Sequence, residues 1–297
     1  MSVNEPAEWP ALRVDEWAGT RYSLHMWSQV VGKVRMACAP FQNHWWHVTL
    51  YVSPRGLTTS AFPYRGDTWD IELDLLGHRL VVRGSGGQFA SLGLRPCPVA
   101  AFYADTMELL ADVGLDARIR PVPNEVDPAI PFAEDVEPRE YVPDHATAFW
   151  RQLLAANWAL SEFRSGFTGK VSPVHFFWGS FDLAVTRFSG RDAPPHPGGI
   201  PNCPDWVMVE SYNRQLSSAG FWPGGGQEGA FYSYAYPEPD GLAGADVLPA
   251  QAYWYADGGQ FLLPYEHVRT ASDPARAVQD FLRTTYEAAA RLGGWPG

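Results

Sequence analysis

Two features are missing from the sequence, and each absence removes a class of function. No window holds a cluster of Lys and Arg, and the formal net charge is -11, so the chain lacks the basic surface that nucleic-acid binding requires. No stretch of roughly 18 uncharged apolar residues occurs, and no basic segment precedes an apolar one, so neither a membrane span nor a signal peptide is predicted. We therefore expect a cytoplasmic protein without nucleic-acid or membrane partners.

Cysteine is scarce. The three cysteines, Cys38, Cys97 and Cys203, lie far apart, are odd in number and form no CxxC pair. This pattern favours reduced thiols over a disulfide framework or a cysteine-ligated metal. A nucleophilic role for one of them stays open, although buried thiols without a chemical role are more common.

Aromatic residues, in contrast, are abundant. The 297 residues include 13 Trp, 13 Tyr and 16 Phe, and 46% of the chain is hydrophobic. This composition fills one large core or two smaller ones. It is also enough to line a pocket for a flat or apolar ligand.

Two short motifs recur in the same order, which predicts two related halves. Gly32-Lys33-Val34 recurs as Gly169-Lys170-Val171, and Gly86-Gly87-Gln88-Phe89 recurs as Gly258-Gly259-Gln260-Phe261. Coincidence is the alternative, because short matches that contain glycine arise easily.

Each glycine-rich motif precedes a helix with clear ends. These helices are predicted to begin at Pro98 and at Asp273, and each stops at a glycine. The implied unit is helix, antiparallel strands, helix. We therefore predict an α+β fold with one unit over residues 1–140 and a second over residues 141–297, packed around a pseudo-twofold axis.

Alternation of polar and apolar residues predicts the strands. Asp70, Glu72 and Asp74 alternate with apolar residues, and we interpret their face of the strand as solvated. Residues 231–236 and 252–255 form comparable aromatic strands in the second half.

The second half carries extra residues between its two motifs, which we place between Gly190 and Gly229. This segment is rich in turn formers, notably at 194–199 and 223–226, so it is poorly suited to long regular elements. Its aromatic residues disfavour disorder. We predict an ordered covering loop over residues 190–229.

The stretch 172–187 supplies the leading catalytic candidates. His175 is the candidate acid–base group, Asp182 its orienting partner or a second carboxylate, and Arg187 an anion clamp. In an uninterrupted strand His175 and Asp182 face opposite sides, so their convergence requires a bulge, for which Gly179 is the candidate. A structural ion pair between Asp182 and Arg187 is the alternative.

The candidate ligand-binding residues combine imidazole groups with large aromatic groups. They are His47, Trp45, Trp178, His196, Tyr212 and Trp222. His44 and His47 would face opposite sides of a strand, so a shared metal needs a bend, and no metal ligand is predicted. A hydrogen-bonded core histidine is the alternative.

Lys33 and Lys170 hold equivalent places in the two recurring motifs. Both are predicted to close helices, where a cation suits the negative end of the helix dipole. A pair that lines a central anion site is the alternative.

Four segments carry a resemblance to a known family. They are NHWWHVTLYVSPRGLTTS, GKVSPVHFFWGSFDLAVTRFSGR, PPHPGG and SSAGFWPGGG. In these, and nearly from end to end, the chain resembles an uncharacterised bacterial family of unknown function. The resemblance implies no activity, cofactor or catalytic residue.

The leading functional prediction is an enzyme, of unspecified reaction, that acts on a small organic molecule in a Trp-rich pocket between the halves. Three alternatives stay open. They are a non-catalytic protein that binds a flat or cationic compound, a metal-dependent enzyme with histidines from both halves, and a structural protein that binds a partner. The sequence predicts neither a cofactor nor an oligomeric state.

Overall fold

The fold is α+β, as predicted. A computed structural model describes residues 8–295 and contains two antiparallel sheets of six strands each, together with six helices. The helices are α1 (Ala18–Cys38), α2 (Val99–Asp112), α3 (Pro143–Ser165), α4 (Asp205–Ser211), α5 (Tyr265–Arg269) and α6 (Pro274–Leu292). No helix within these residues is both long enough and apolar enough to cross a bilayer.

The first sheet belongs to the first half of the chain. Its strands are β1 (Tyr51–Val52), β2 (Gly56–Thr58), β3 (Phe62–Tyr64), β4 (Asp67–Asp74), β5 (Arg79–Gly84) and β6 (Phe89–Gly93). They pair in the order β1-β2-β4-β5-β6, and β3 pairs with β4.

The second sheet belongs to the second half. Its strands are β7 (His175–Phe177), β8 (Asp182–Asp192), β9 (Arg214–Trp222), β10 (Ala230–Tyr236), β11 (Tyr253–Tyr255) and β12 (Gln260–Pro264). They pair in the order β11-β12-β10-β9-β8-β7, so β8, β9 and β10 lie inside the sheet.

The two sheets meet at one edge. Leu50, just before β1, exchanges two backbone hydrogen bonds with Phe176 of β7, at N···O distances of 2.9 and 2.8 Å. Both side chains are fully buried in a core that both halves share. The halves therefore pack as one unit around common hydrophobic residues.

The predicted starts of α2 and α6 are confirmed. α2 starts immediately after Pro98, and α6 starts after Asp273, whose carboxylate accepts a hydrogen bond from the Arg276 N–H at 3.0 Å. This is an N-terminal cap, which satisfies one of the free N–H groups at the start of a helix.

The two recurring motifs differ in how they are placed. Both glycine-rich motifs lie at hairpin turns, between β5 and β6 and between β11 and β12. The lysine motifs are not equivalent, because Lys33 lies inside α1 and Lys170 follows the end of α3. Neither lysine is the helix-closing residue that the motifs predicted, and a duplication stays a prediction.

The interpretation of the acidic residues on β4 as a solvated face was wrong. Glu72 and Asp74 are buried, and arginines from neighbouring segments bind them. Arg83 Nη2 lies 2.7 Å from Glu72 Oε2, and Arg55 Nε lies 2.9 Å from Asp74 Oδ2. β4 lies inside the sheet, so its neighbours place cations beside the carboxylates.

The covering loop is shorter than predicted. β8 continues to Asp192 and residues 214–222 form β9, a central strand, so the covering part is residues 193–213. Turn formers cluster on both sides of β9 and not within it. Small residues such as Ser218 and Gly220 allow the strand to pass between β8 and β10.

Gly32 in α1 makes room for the indole of Trp178. A Cβ at residue 32 would lie 2.2 Å from Cδ1 and Nε1 of that indole. We predict that Gly32→Ala lowers the free energy of unfolding by about 1–3 kcal/mol, because the indole must move from a packed position. Urea denaturation measures the change.

Gly19→Ala in the same helix is the matched control. The atom nearest to a Cβ there is Glu140 Oε2, at 2.6 Å, which is the free end of a flexible side chain and can move. Alanine is favoured over glycine in a helix by roughly 1 kcal/mol when nothing obstructs it. An unchanged or increased stability of Gly32→Ala would contradict the predicted collision.

Candidate functional site

A cavity of about 330 Å³ opens between the two halves. This volume lies within the range of pockets that bind small molecules, roughly 300–1,000 Å³. Residues 33–48 and 120–125 of the first half line it, together with residues 177–188 and 203–234 of the second.

The floor of the cavity is one face of the second sheet. Alternate residues of β8, β9 and β10 point into it, and the intervening residues point to the opposite face, which α3 and α6 cover. The floor residues are Asp182, Ala184, Thr186, Phe188, Leu216, Ser218, Tyr232 and Tyr234. The strand period of two therefore sets the chemistry of the floor.

Aromatic side chains form the walls. Four tryptophans, Trp45, Trp46, Trp178 and Trp206, line the cavity. The Trp178 indole donates a hydrogen bond to Val48 O at 2.7 Å, which fixes its ring. Trp45 and Trp206 have ring centroids 5.2 Å apart, so the tip of the covering segment rests on the first half.

Asp182 is a buried carboxyl group on the floor. The hydroxyls of Ser180 and Tyr232 donate hydrogen bonds to its two oxygens. Burial raises the pKa of Asp182, and the two hydrogen bonds oppose that rise. Gly220 leaves space for the hydroxyl of Tyr232, since a Cβ there would lie 2.5 Å from that oxygen.

Glu125 brings a second carboxyl group from the irregular segment between α2 and α3. Its backbone N–H donates to Pro201 O at 2.9 Å. The carboxyl packs on Gly179, where a Cβ would lie 2.1 Å from Glu125 Oε1. By surface area Glu125 is an exposed residue, because its side chain faces the open cavity, but many protein atoms lie around its carboxyl group. This burial, with a contribution from the charge of Asp182, raises the pKa of Glu125 to about 7.

Lys33 reaches the cavity from the middle of α1. Its Nζ donates a hydrogen bond to Asn124 Oδ1 and lies 5.3 Å from the centroid of the Trp178 ring. Burial lowers the pKa of Lys33 to about 8. Gln29 fixes the backbone of Asn124 by two hydrogen bonds, each of 2.8 Å.

Left-handed backbone conformations cluster around the cavity. Residues 8–295 include eight non-glycine residues with positive φ, and five of these line the cavity or directly adjoin residues that do. They are His44, Trp45, Glu125, Phe181 and Asn202, with φ between 51° and 60°. Such conformations are unfavourable for most side chains and persist where the surrounding structure fixes them, frequently at functional sites.

The comparisons with known proteins agree with the resemblance in the sequence. The family of unknown function DUF5996 matches residues 9–297. The chain belongs to this family. No curated protein and no solved structure matches the chain. The function of this DUF5996 member is therefore argued from the geometry of its cavity.

The three predicted catalytic residues are not brought together. Asp182 lies on the cavity floor, but neither His175 nor Arg187 lines the cavity. The chain reverses at residues 178–181, so the uninterrupted strand assumed from the sequence does not form. Because Asp182 and Arg187 are five residues apart on β8, they point to opposite faces.

His175 and Arg187 both pack among aromatic rings. His175 is 1% exposed, its ring lies 5.8 Å from Trp46, and neither ring nitrogen has a hydrogen-bond partner within residues 8–295. Burial lowers the pKa of His175 to about 3. The Arg187 guanidinium lies 3.4 Å from the centroid of Phe163 and 4.4 Å from that of Tyr286, so it binds aromatic faces instead of an anion.

The predicted ligand-binding residues divide into two groups. Trp45, Trp178 and Tyr212 line the cavity, whereas His47, His196 and Trp222 do not. His47 Nδ1 accepts a hydrogen bond from Gln42 N–H at 3.2 Å, and His196 packs on Tyr212 at 4.6 Å between ring centroids. Trp222 lies at the end of β9 and is 41% exposed.

The cysteines and histidines do not form a metal site in the described part of the chain. No group of three or more His, Cys, Asp or Glu side chains there is placed to hold a metal ion. All three cysteines are free, and Cys203 lines the cavity. Burial raises the pKa of Cys203 to about 11, so its thiol is protonated at neutral pH.

Glu125 and the tyrosines of β10 were not among the residues that the sequence predicted for the site. Glu125 lies in a proline-rich segment without periodicity, so no local pattern indicated it. A signal existed for the tyrosines, because Tyr232 and Tyr234 alternate with Phe231 and Ser233. Such alternation predicts a polar aromatic face opposite a packed face.

His175 provides a pH-dependent test of its position. Its pKa is about 3 in the folded protein and roughly 6.5 when unfolded, so the unfolded state binds the proton between these values. Stability is therefore lost as pH falls below about 6.5. We predict that His175→Phe is folded at pH 7.5 and gains up to about 2 kcal/mol of stability over the parent protein at pH 5.

Urea denaturation at the two pH values measures this gain. His267→Phe, at an exposed histidine on α5, is the matched control and leaves the difference between pH 5 and pH 7.5 unchanged. An equal loss of stability at low pH in the His175→Phe variant and the parent would show that the imidazole is not buried as described.

Proposed function

We propose that this protein is an enzyme that acts on a small organic molecule in the cavity, with Glu125 as the proton-transfer group and Asp182 as a second carboxyl group. One observation carries the proposal. Three ionisable side chains, Lys33, Glu125 and Asp182, converge from three separate segments on one aromatic-walled cavity.

Glu125 has the properties that general acid–base catalysis requires. Its carboxyl group faces the cavity, and a pKa of about 7 means that both protonation states are populated at neutral pH. Glu125 has a left-handed backbone conformation, which is held by the hydrogen bond from its own N–H to Pro201 O and by the packing of its carboxyl group on Gly179. This arrangement gives a proton donor or acceptor a fixed position.

Asp182 complements Glu125 because its position is fixed from two sides. The hydroxyls of Ser180 and Tyr232 occupy one lone pair on each oxygen, which leaves the others free for a ligand. When ionised, it disfavours ionisation of Glu125 by repulsion. Two carboxyl groups with different environments can hold different protonation states during one reaction.

The walls favour an organic ligand with a flat or apolar body. Tryptophan and phenylalanine faces occupy the sides, and the hydroxyl pairs Thr186–Ser218 and Tyr212–Tyr234 bond to each other at 2.9 and 2.8 Å. These hydroxyls therefore already have partners on the floor. The polar groups that keep free hydrogen-bonding positions for a ligand are mainly the carboxyl groups of Asp182 and Glu125 and the ammonium of Lys33.

A non-catalytic ligand-binding protein is the second candidate. The observation in its favour is that Cys203, the thiol that lines the cavity among residues 8–295, is not activated, since it is protonated and lies 4.0 Å from Met208 Sδ. Such a protein retains a bound compound but does not convert it.

Loss of turnover in Glu125→Gln tests the proposal. Purified protein is incubated with a bacterial metabolite extract, and untargeted mass spectrometry follows which compounds are consumed. We predict that Glu125→Gln lowers the rate of consumption at least about 100-fold, because general acid–base catalysis typically contributes 10²–10⁴-fold. The neutral amide keeps the size of the side chain, so the cavity keeps its shape.

Glu108→Gln, at an exposed glutamate on α2, is the matched control and consumes the same compounds at the parent rate. Equal rates for Glu125→Gln and the parent would contradict the assigned role. A compound that binds the parent protein without any compound being consumed would favour the second candidate.

A further inference from the structure

We propose that Lys33 binds an anionic group of the ligand, so that the substrate class is a small organic acid, such as a carboxylate, with a flat apolar body. This inference rests on the proposed function, because it concerns the same cavity. It names the chemistry of the ligand and the residue that selects it.

The Lys33 ammonium lacks an acidic partner in the described residues. It is 1% exposed, and no carboxylate between residues 8 and 295 lies within 4.0 Å of its Nζ. Its hydrogen-bond partner is the amide oxygen of Asn124, which is neutral. A buried charge without a counter-charge is energetically unfavourable. A ligand that places a negative charge beside Lys33 therefore gains binding free energy.

The residues around Lys33 keep its ammonium paired with a neutral amide oxygen. Asn124 is fixed by two hydrogen bonds to Gln29, and its side-chain N–H donates to Asn202 O at 2.6 Å. Its amide oxygen is therefore directed at Lys33. An ammonium has three N–H donors, and only one is used within the described residues, which leaves two for an anion.

The second cation of the lining, Arg120, supports the same assignment. It lies close enough to Lys33 to lower the pKa of that ammonium, and it forms no salt bridge within residues 8–295. Arg120 is exposed, whereas Lys33 is buried, so Lys33 is the stronger site. Both cations line the cavity, and neither forms a salt bridge with a carboxylate of the described residues.

A cationic ligand fits less well. Of the two carboxyl groups, Glu125 is about half protonated at neutral pH, and burial raises the pKa of Asp182, which disfavours its charged form. An amine would also be repelled by Lys33. An anion on Lys33 instead lies beside Trp178 and near Asn124, the residue that precedes Glu125, which places the body of the ligand on the aromatic wall.

Matched probes test the charge preference. Phenylacetate, indole-3-acetate and hexanoate are each compared with the corresponding amide and amine by isothermal titration calorimetry. We expect at least one acid to bind the parent protein about 10-fold or more tightly than its amide, the scale of a hydrogen bond to a charged group, and more tightly than its amine. Lys33→Met removes this preference and leaves binding of the amide within about 3-fold.

Lys170→Met is the matched control. The chain has two lysines, and Lys170 contacts His44 but does not line the cavity. This variant keeps the preference for the acid. Arg120→Met, at an exposed residue, tests the second cation of the lining, and we expect it to keep most of the preference because Lys33 is retained. If Lys33→Met does not fold, the assignment of the anion site to Lys33 is tested by the probe series on the parent protein and on Arg120→Met.

The outcomes separate the two proposals. If probes bind but no acid binds more tightly than both its amide and its amine, the anion assignment is overturned and the proposed function stands. A preference that survives in a folded Lys33→Met, or that disappears in Arg120→Met, overturns the role of Lys33. If no probe binds at millimolar concentration, the anion assignment and the small-molecule site fail together.

Discussion

Four residues between β7 and β8, Trp178 to Phe181, form the turn on which the geometry of the cavity depends. Trp178 fills the space above Gly32 and becomes a wall. Gly179 has no side chain, so the carboxyl group of Glu125 can pack on its backbone. Ser180 donates a hydrogen bond to Asp182, and Phe181 takes a left-handed conformation that starts β8 with Asp182 facing the floor. Each position of the turn therefore has a separate role in the site.

The site combines groups that water would normally solvate. Burial moves the pKa of Glu125 and of Lys33 towards neutrality from opposite sides, to about 7 and about 8. Neither group has an ion-pair partner within the described residues, in contrast to the arginine-bound carboxylates of β4. Structural ion pairs hold their charges fixed. Groups without such partners can change protonation or accept a charged ligand, which is the property that a binding site needs.

The sequence predicted what depends on local pattern. The α+β class, the starts of α2 and α6 and the strand around residues 70–74 follow from periodicity, caps and turn residues. The long covering loop was predicted from turn formers, but the strand β9 forms within it and contains small residues such as Ser218 and Gly220. Their signal is weak because such residues are not strong strand formers.

The site was predicted only in part, because its residues meet through tertiary contacts. Trp45, Trp178, Tyr212 and Asp182 were among the candidates, and they line the cavity. Glu125 lies 57 positions before Asp182 in a segment without regular structure, and only the fold brings them close. His175 was chosen for its chemistry, but it lies in the core without a hydrogen-bond partner there.

The position of the cavity follows from the way the layers are built. α3 and α6 cover one face of the second sheet, and they bury the apolar residues of β8, β9 and β10, such as Val185, Phe221 and Phe231. Among residues 8–295, no helix packs in the same way on the other face, although α1 and the short helix α4 border the cavity. That face therefore carries hydroxyls and the carboxyl group of Asp182. The end of α1, the short helix α4 and the irregular segment 120–125 do not fill this side as a long helix on the sheet would, and the space that they leave is the cavity.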